Sequence, residues 1–227
     1  MRVSAKTKGA GLGSGELLAS RARRSLRARP ELIVLAASTG GPGALRELMI
    51  GLPTKLGAPV VVVQHLPPSF VASFARQLDR RLDLSVRLAT SGGEVLPDTV
   101  WFAPGEEHLS LRRDRAGTLR FRSDKSPPVR GCRPAADVLF RAAAQVCGPK
   151  CMAIVLTGMG KDGCAGAREI AEAGGEVIVQ DQASSAVWGM PGSVVRAEVG
   201  ARILPLSGIA EAICGRTRAL SKVDAGG

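Results

Sequence analysis

A chain of 227 residues with 45% hydrophobic residues and a net charge of +11 has the apolar content for one globular domain of ordinary to large size, which excludes a wholly disordered or fibrous protein. Its apolar runs fall short of the 18 or so residues that a membrane-spanning helix needs, so no membrane insertion is expected. Only 3% of residues are aromatic and none is tyrosine, which leaves few stacking platforms, so no specific nucleic-acid binding is expected either.

Residues 1–30 carry eight Lys/Arg against the single acid Glu16, so this segment holds +7 of the charge and the rest of the chain +4. Rich in Gly, Ser and Arg and poor in apolar residues, it cannot bury enough surface to order itself and reads as a basic arm or linker. From Glu31 the pattern changes. "ELIVLAAS" reads as a strand, and "GPGALRELMIGL" as a helix with Leu45, Leu48, Met49 and Leu52 at i, i+3, i+4 and i+7. "APVVVVQH" is a second strand, followed by "PPSFVASFARQLDRRL", with Phe70, Phe74 and Leu78 on one helical face. Proline opens both helices, where its missing N–H costs nothing.

Residues 86–125 depart from this alternation. They hold the strand "TVWFAP" and the short pieces "EEHLSLRR" and "TLRFRS" around "DRAG", which predict a hairpin insertion. "RPAADVLFRAAAQVC" is a further helix, with Pro134 near its start and Asp137 in its first turn, where a negative charge suits the dipole. "CMAIVLTG" and "EVIVQD" close the set of strong strands. Runs of Val and Ile with little polar alternation imply strands covered on both faces. The prediction is therefore an α/β fold: a doubly wound, mainly parallel sheet with helices on both faces and an antiparallel hairpin insertion. The folded domain is placed at 31–215 and a flexible tail at 216–227.

In open α/β sheets ligands bind at the carboxyl ends of the strands. Ser38 ends the first strand, His65 the second, and Asp162 follows "CMAIVL" in "TGMGKDG". A hydroxyl, an imidazole and a carboxylate are what acyl transfer requires. Their order, Ser, His, Asp, differs from that of the α/β-hydrolases. Three readings of "STGG" stand open: a nucleophile at a tight turn whose glycines free backbone N–H groups for an oxyanion, a helix cap by Ser38 or Thr39, and a phosphate loop. The phosphate loop fits worst, because the glycine spacing is wrong and no lysine follows. His108 falls in the insertion and reads as surface or structural. Asp181, which ends "VIVQD", rivals Asp162, and chain geometry does not choose between them.

Five cysteines, Cys132, Cys147, Cys151, Cys164 and Cys214, form an odd set with no secretory apolar segment, which points to reduced thiols and a cytoplasmic protein. Cys147 and Cys151 make a CxxxC, but His65 and His108 are the only histidines, so no second ligand pair exists at zinc spacing. Neither a metal nor a cofactor is expected.

The motifs "AASTGGPGALRELM", "VVVVQHLPPSF", "VWFAPGEEHLSL", "PPVRGCRPAADVLFRAAA", "AIVLTGMGKDG" and "VIVQDQASSAVWGMP" together resemble the catalytic domain of the chemotaxis protein-glutamate methylesterases, CheB. The resemblance implies hydrolysis of γ-glutamyl methyl esters on the cytoplasmic helices of methyl-accepting chemoreceptors, releasing methanol, with deamidation of selected glutamines in the same site. It also implies Ser38 as nucleophile, His65 as base and Asp162, rather than Asp181, as orienting acid. The backbone N–H groups of Thr39 and Met159 become the oxyanion donors.

Two departures stand out. Family members often carry a receiver domain, where this chain has the basic arm, so control is expected from a separate response regulator or the enzyme stands alone. The family also tends to have histidine where this chain has Cys132. A receptor-binding regulator without turnover is the alternative reading.

Overall fold

Six consecutive apolar residues make β1 (Leu32–Ala37), and each of them is buried. In the computed structural model, which describes residues 29–218, β1 pairs in parallel with β2 (Val60–Gln64) on one side and β7 (Cys151–Val155) on the other. The sheet extends outward through β4 (Thr99–Phe102) to β3 (Ser85–Leu88), and through β8 (Glu176–Gln180) to β9 (Arg202–Leu204). Its order is β3-β4-β2-β1-β7-β8-β9, with every pairing parallel. The chain leaves β1 toward β2 and returns at its other edge through β7, so the order reverses at β1/β7. That is the switch point where a doubly wound sheet opens a crevice at its carboxyl edge.

The period-two alternation of β1 divides the core between the two faces. Leu32, Val34 and Ala36 face one apolar layer, while Ile33, Leu35 and Ala37 face the other. The second layer is closed by α1 (Gly41–Ile50), α2 (Pro68–Asp79) and α6 (Leu206–Arg218) through Leu45, Leu48, Val71, Leu78, Ile209 and Ile213. The first is closed by α3 (Ala136–Cys147), α4 (Cys164–Glu172) and α5 (Gly189–Arg196) through Leu139, Phe140, Ile170 and Val194. The hairpin β5 (His108–Arg113) and β6 (Leu119–Asp124) is a separate two-stranded antiparallel sheet. It turns at Asp114, whose carboxylate accepts from the Ala116 and Thr118 N–H groups, and it adds Leu109, Leu111, Leu119 and Phe121 to the first layer.

The predicted doubly wound sheet and hairpin are both present, and three details differ. The edge strands β3 and β9 lack the apolar runs of the central strands, because an edge strand need not be buried on both faces. The buried face of α2 is Val71, Ala75 and Leu78 with Phe74 packed beside it, so of the predicted stripe only Phe70 turns outward, 63% exposed. Helix α6 runs to Arg218, past the domain limit placed at residue 215. The arm expected over residues 1–30 and the tail expected after 215 otherwise lie outside the described residues.

Candidate active site

The turn after β1 is fixed by its backbone. The Ser38 N–H donates to the Thr157 carbonyl at 3.0 Å, carrying the β1/β7 ladder one residue beyond the strands, and the Ser38 carbonyl accepts from the Gly41 N–H at 2.8 Å. Gly40 caps α1 with φ +80, a conformation that favours glycine, and the helix has no side-chain cap. Neither Ser38 nor Thr39 therefore acts as the cap that one reading of "STGG" proposed. Gly158 is packed so closely against this turn that a Cβ there would lie 2.8 Å from the Cβ of Ser38 and 2.4 Å from the Met190 sulfur. Any side chain at 158 would push Ser38 out of place.

His65 follows β2 directly, and its N–H donates to the Ala37 carbonyl at 3.0 Å. Gln64, fully buried, donates through Nε2 to the Ser38 carbonyl at 3.0 Å and to the His65 carbonyl at 3.2 Å. One amide thus ties the two strand ends together. Its Oε1 has no partner among the described residues.

The imidazole Nε2 of His65 lies 2.8 Å from Oδ2 of Asp162. Asp162 is 3% exposed, and its two oxygens accept from the Ala136 N–H (2.7 Å), the Gly163 N–H (2.9 Å) and the Asp137 N–H (3.0 Å) as well. Ala136 and Asp137 begin α3, so this carboxylate sits on the positive end of the helix and satisfies two of its orphan donors. Burial pushes the Asp162 carboxyl up, but the hydrogen bonds from His65 and from the Asp137 and Ala136 backbone outweigh it. The net effect holds the group below the ordinary carboxylate range. Asp162 is an anion buried where an imidazolium could be stabilised.

Asp181 is engaged elsewhere: its carboxylate accepts from the N–H and the hydroxyl of Ser184 in a local turn. His108 is fully buried, not at the surface. Its Nδ1 accepts from the Ala135 N–H and its Nε2 lies 3.2 Å from the Pro127 carbonyl, so it is a neutral Nε2–H tautomer that joins the hairpin to the start of α3. Asp137, also buried, accepts from the Gly166 N–H of α4 and from Arg130. The first N–H groups of α3 are therefore shared between the hairpin and the acid behind His65.

Ser38, His65 and Met159 line one cavity of about 410 Å³, with Leu66, Cys132, Arg133 and Pro134 completing its wall. Met159 is an exposed apolar side chain at its mouth. Neither the Thr39 nor the Met159 backbone N–H donates to a protein group among the described residues. Cys132 is half-buried, and its thiol is pushed up by burial and by the negative charges of Asp162 and Asp137. Gln64, the tether between the two strand ends, was missed by the sequence reading. The visible signal was an amide in an otherwise apolar buried strand.

A serine and an imidazole lining one cavity, with a buried carboxylate behind the imidazole, on the carboxyl edge of a doubly wound sheet, define the class: an α/β protein with the groups for acyl transfer. The CheB methylesterase family profile matches residues 33–213. A protein-glutamate methylesterase/protein-glutamine glutaminase of Nocardioides sp. is 53% identical over 175 residues, 77% of this chain and 47% of that protein. One from Caulobacter vibrioides is 41% identical over 191 residues, 84% of this chain and 55% of that protein. The crystal structure of the Thermotoga maritima CheB methylesterase catalytic domain superposes with a TM-score of 0.78 at 41% identity, covering 82% of this chain and 97% of that one. The chain belongs to the CheB methylesterase family, and it spans about half the length of these two relatives.

Proposed function

We propose that this chain hydrolyses γ-glutamyl methyl esters on the cytoplasmic helices of methyl-accepting chemoreceptors, giving glutamate and methanol, and deamidates receptor glutamines in the same site. The observation that carries the reading is the His65–Asp162 pair, 2.8 Å apart and backed by the N-terminus of α3, with His65 lining the same cavity as Ser38. Membership of the CheB family supports the choice of substrate.

In this reading the His65 Nε2–H donates to Asp162, which leaves Nδ1 as the lone-pair nitrogen. Nδ1 takes the Ser38 proton as the hydroxyl oxygen attacks the ester carbonyl, and Asp162 stabilises the resulting imidazolium. The tetrahedral oxyanion is held by the Thr39 and Met159 N–H groups. Its collapse expels methoxide, which leaves as methanol with the proton from His65. Water then attacks the acyl-serine with the same base, releasing glutamate. Glutamine would follow the same course with ammonia as the leaving group. An exposed Met159 and the exposed Phe70 early in α2 are apolar contacts offered to a helical substrate.

Methanol release from methylated receptor membranes, with and without each partner response regulator, tests the proposal. Release that is abolished by Ser38→Ala is the expected result. No release under any condition would overturn it in favour of a receptor-binding protein without turnover.

A further inference from the structure

His65, Cys132 and Asp162 each offer one ligand atom, and these atoms lie within 4.8 Å of one another. The set combines an imidazole nitrogen, a thiol sulfur and a carboxylate oxygen, the three donor types from which zinc sites are built. Zinc bonds of about 2.0–2.3 Å in a tetrahedron place ligand atoms about 3.5 Å apart. The observed span needs side-chain shifts of about 1 Å, with no movement of a strand. The three groups come from the end of β2, the loop before α3 and the loop before α4, so a bound ion would join three parts of the fold. The cavity lined by His65 and Cys132 opens to solvent and gives an ion its path.

We propose that His65, Cys132 and Asp162 form an inhibitory binding site for a thiophilic divalent cation of the zinc class, with the fourth position open to water. The inhibitory consequence rests on the hydrolase reading above; the binding does not.

Charge favours the ion. The buried Asp162 carboxylate supplies a negative charge beside the Cys132 thiol and the His65 imidazole. Asp162 is already ionised and fixed by three backbone N–H groups, so it needs no ordering to become a ligand. The two arginines flanking Cys132 in its loop are otherwise engaged: Arg130 with Asp137, and Arg133 with the Lys125 and Ser126 carbonyls.

The exchange balances simply. The cation enters, the Cys132 S–H bond breaks and its proton leaves to solvent, and the Nε2 proton of His65 relocates to Nδ1 through water. One proton is released per ion, with no oxidation. The charge of the set rises from −1 to zero. Inhibition follows from the tautomer: with Nε2 on the metal and the proton on Nδ1, the imidazole has no lone pair left for the Ser38 proton. Cys132 is the ligand that makes the site selective for a soft metal, since a carboxylate and an imidazole alone would hold zinc weakly.

Cobalt(II) titrated into the full-length protein reads binding without reference to activity. One ion per chain is expected, with a thiolate-to-cobalt charge-transfer band, release of about one proton, and displacement by zinc. Cys132→Ser should abolish the band and weaken zinc binding more than about tenfold, since even partners outside the coordination sphere are worth 10–100-fold. Cys132→His should recover zinc binding without the band. Cys164→Ser and Cys214→Ser should keep it.

No band in the wild-type protein, or a band that survives Cys132→Ser, would overturn the site. Zinc should suppress methanol release in proportion to occupancy, and a chelator should restore it. A chain that binds the ion yet never releases methanol would keep the site and lose the methylesterase reading. One that releases methanol and binds no ion would do the reverse.

Discussion

Replacing Asp162 with asparagine separates the orienting role of the carboxylate from its volume. Oδ2 serves His65 and the Ala136 N–H, while Oδ1 serves the Asp137 and Gly163 N–H groups. An amide keeps only one of these oxygens. If its nitrogen takes the Oδ1 position it faces two backbone N–H donors and leaves both unpaired. If it takes the Oδ2 position only the Ala136 N–H is orphaned, because His65 can accept from the amide by moving its own proton to Nδ1. Each unsatisfied buried donor costs about 1–3 kcal/mol, so the protein should choose the second arrangement.

Stability then falls by about 1–3 kcal/mol, and His65 is left in the tautomer that has no lone pair for Ser38. A wrong tautomer of this kind typically lowers kcat by about 10⁴. Methanol release from methylated receptor gives kcat, and the urea midpoint gives stability. Asp162→Asn turnover within tenfold of wild type, or a larger loss in Asp181→Asn, would refute the reasoning and pass the role to another carboxylate. The pH dependence has a definite sign. Asp162 titrates lower folded than unfolded, so its contribution to stability is present above the ordinary carboxylate range and lost as pH falls through the lowered folded value.

Ser38→Ala should lower turnover by at least about a thousandfold while moving the thermal midpoint little, and retained turnover would remove the nucleophile. His65→Gln should abolish methanol release, whereas His108→Gln, whose amide can still accept from Ala135 and donate to Pro127, should keep its pH profile; the reverse pattern would exclude His65 as base. Gln64→Leu leaves the Ser38 and His65 carbonyls without their shared donor, so a stability loss of about 1–3 kcal/mol and a lower kcat are expected in urea titration and steady-state kinetics. In alkali, burial holds Cys147 up at about 12 and Cys151 well above the ordinary thiol value. Stability present below pH ~9 should thus fall above it by roughly 1 kcal/mol per pH unit for each such thiol, and Cys147→Ala should flatten the decline in a denaturation series.

The parts of the fold legible in the sequence are those whose burial is two-sided. β1, β2, β7 and β8 are buried along their whole length and carry apolar runs because each is covered on both faces, and a run such as "VVVV" needs no tertiary knowledge. β3 and β9 are edge strands, partly exposed and set by pairing with a neighbour, so periodicity carried little trace of them. The hairpin was legible because Asp114 and Gly117 supply the turn chemistry locally.

Of the site, the positions of Ser38, His65 and Asp162 at strand ends could be read from the chain. The pairing of His65 with Asp162 rather than Asp181 was implied only by the family resemblance and not by the strand-end pattern, because it joins residues 97 apart in the chain. The place of His108 was not legible either. Its burial follows from the hairpin closing over α3, and no local pattern in "PGEEHLSL" announces it.

The central claim, that Ser38 is the nucleophile of an acyl-enzyme mechanism, is tested most directly by labelling the full-length protein with a serine-reactive phosphonate. Tryptic mass spectrometry locates the adduct, and methanol release is followed on the same samples. The account predicts one adduct per chain, on Ser38, with activity lost in proportion and no labelling in His65→Gln. An adduct on another serine, or stoichiometric labelling of Ser38 that leaves methanol release intact, would contradict it.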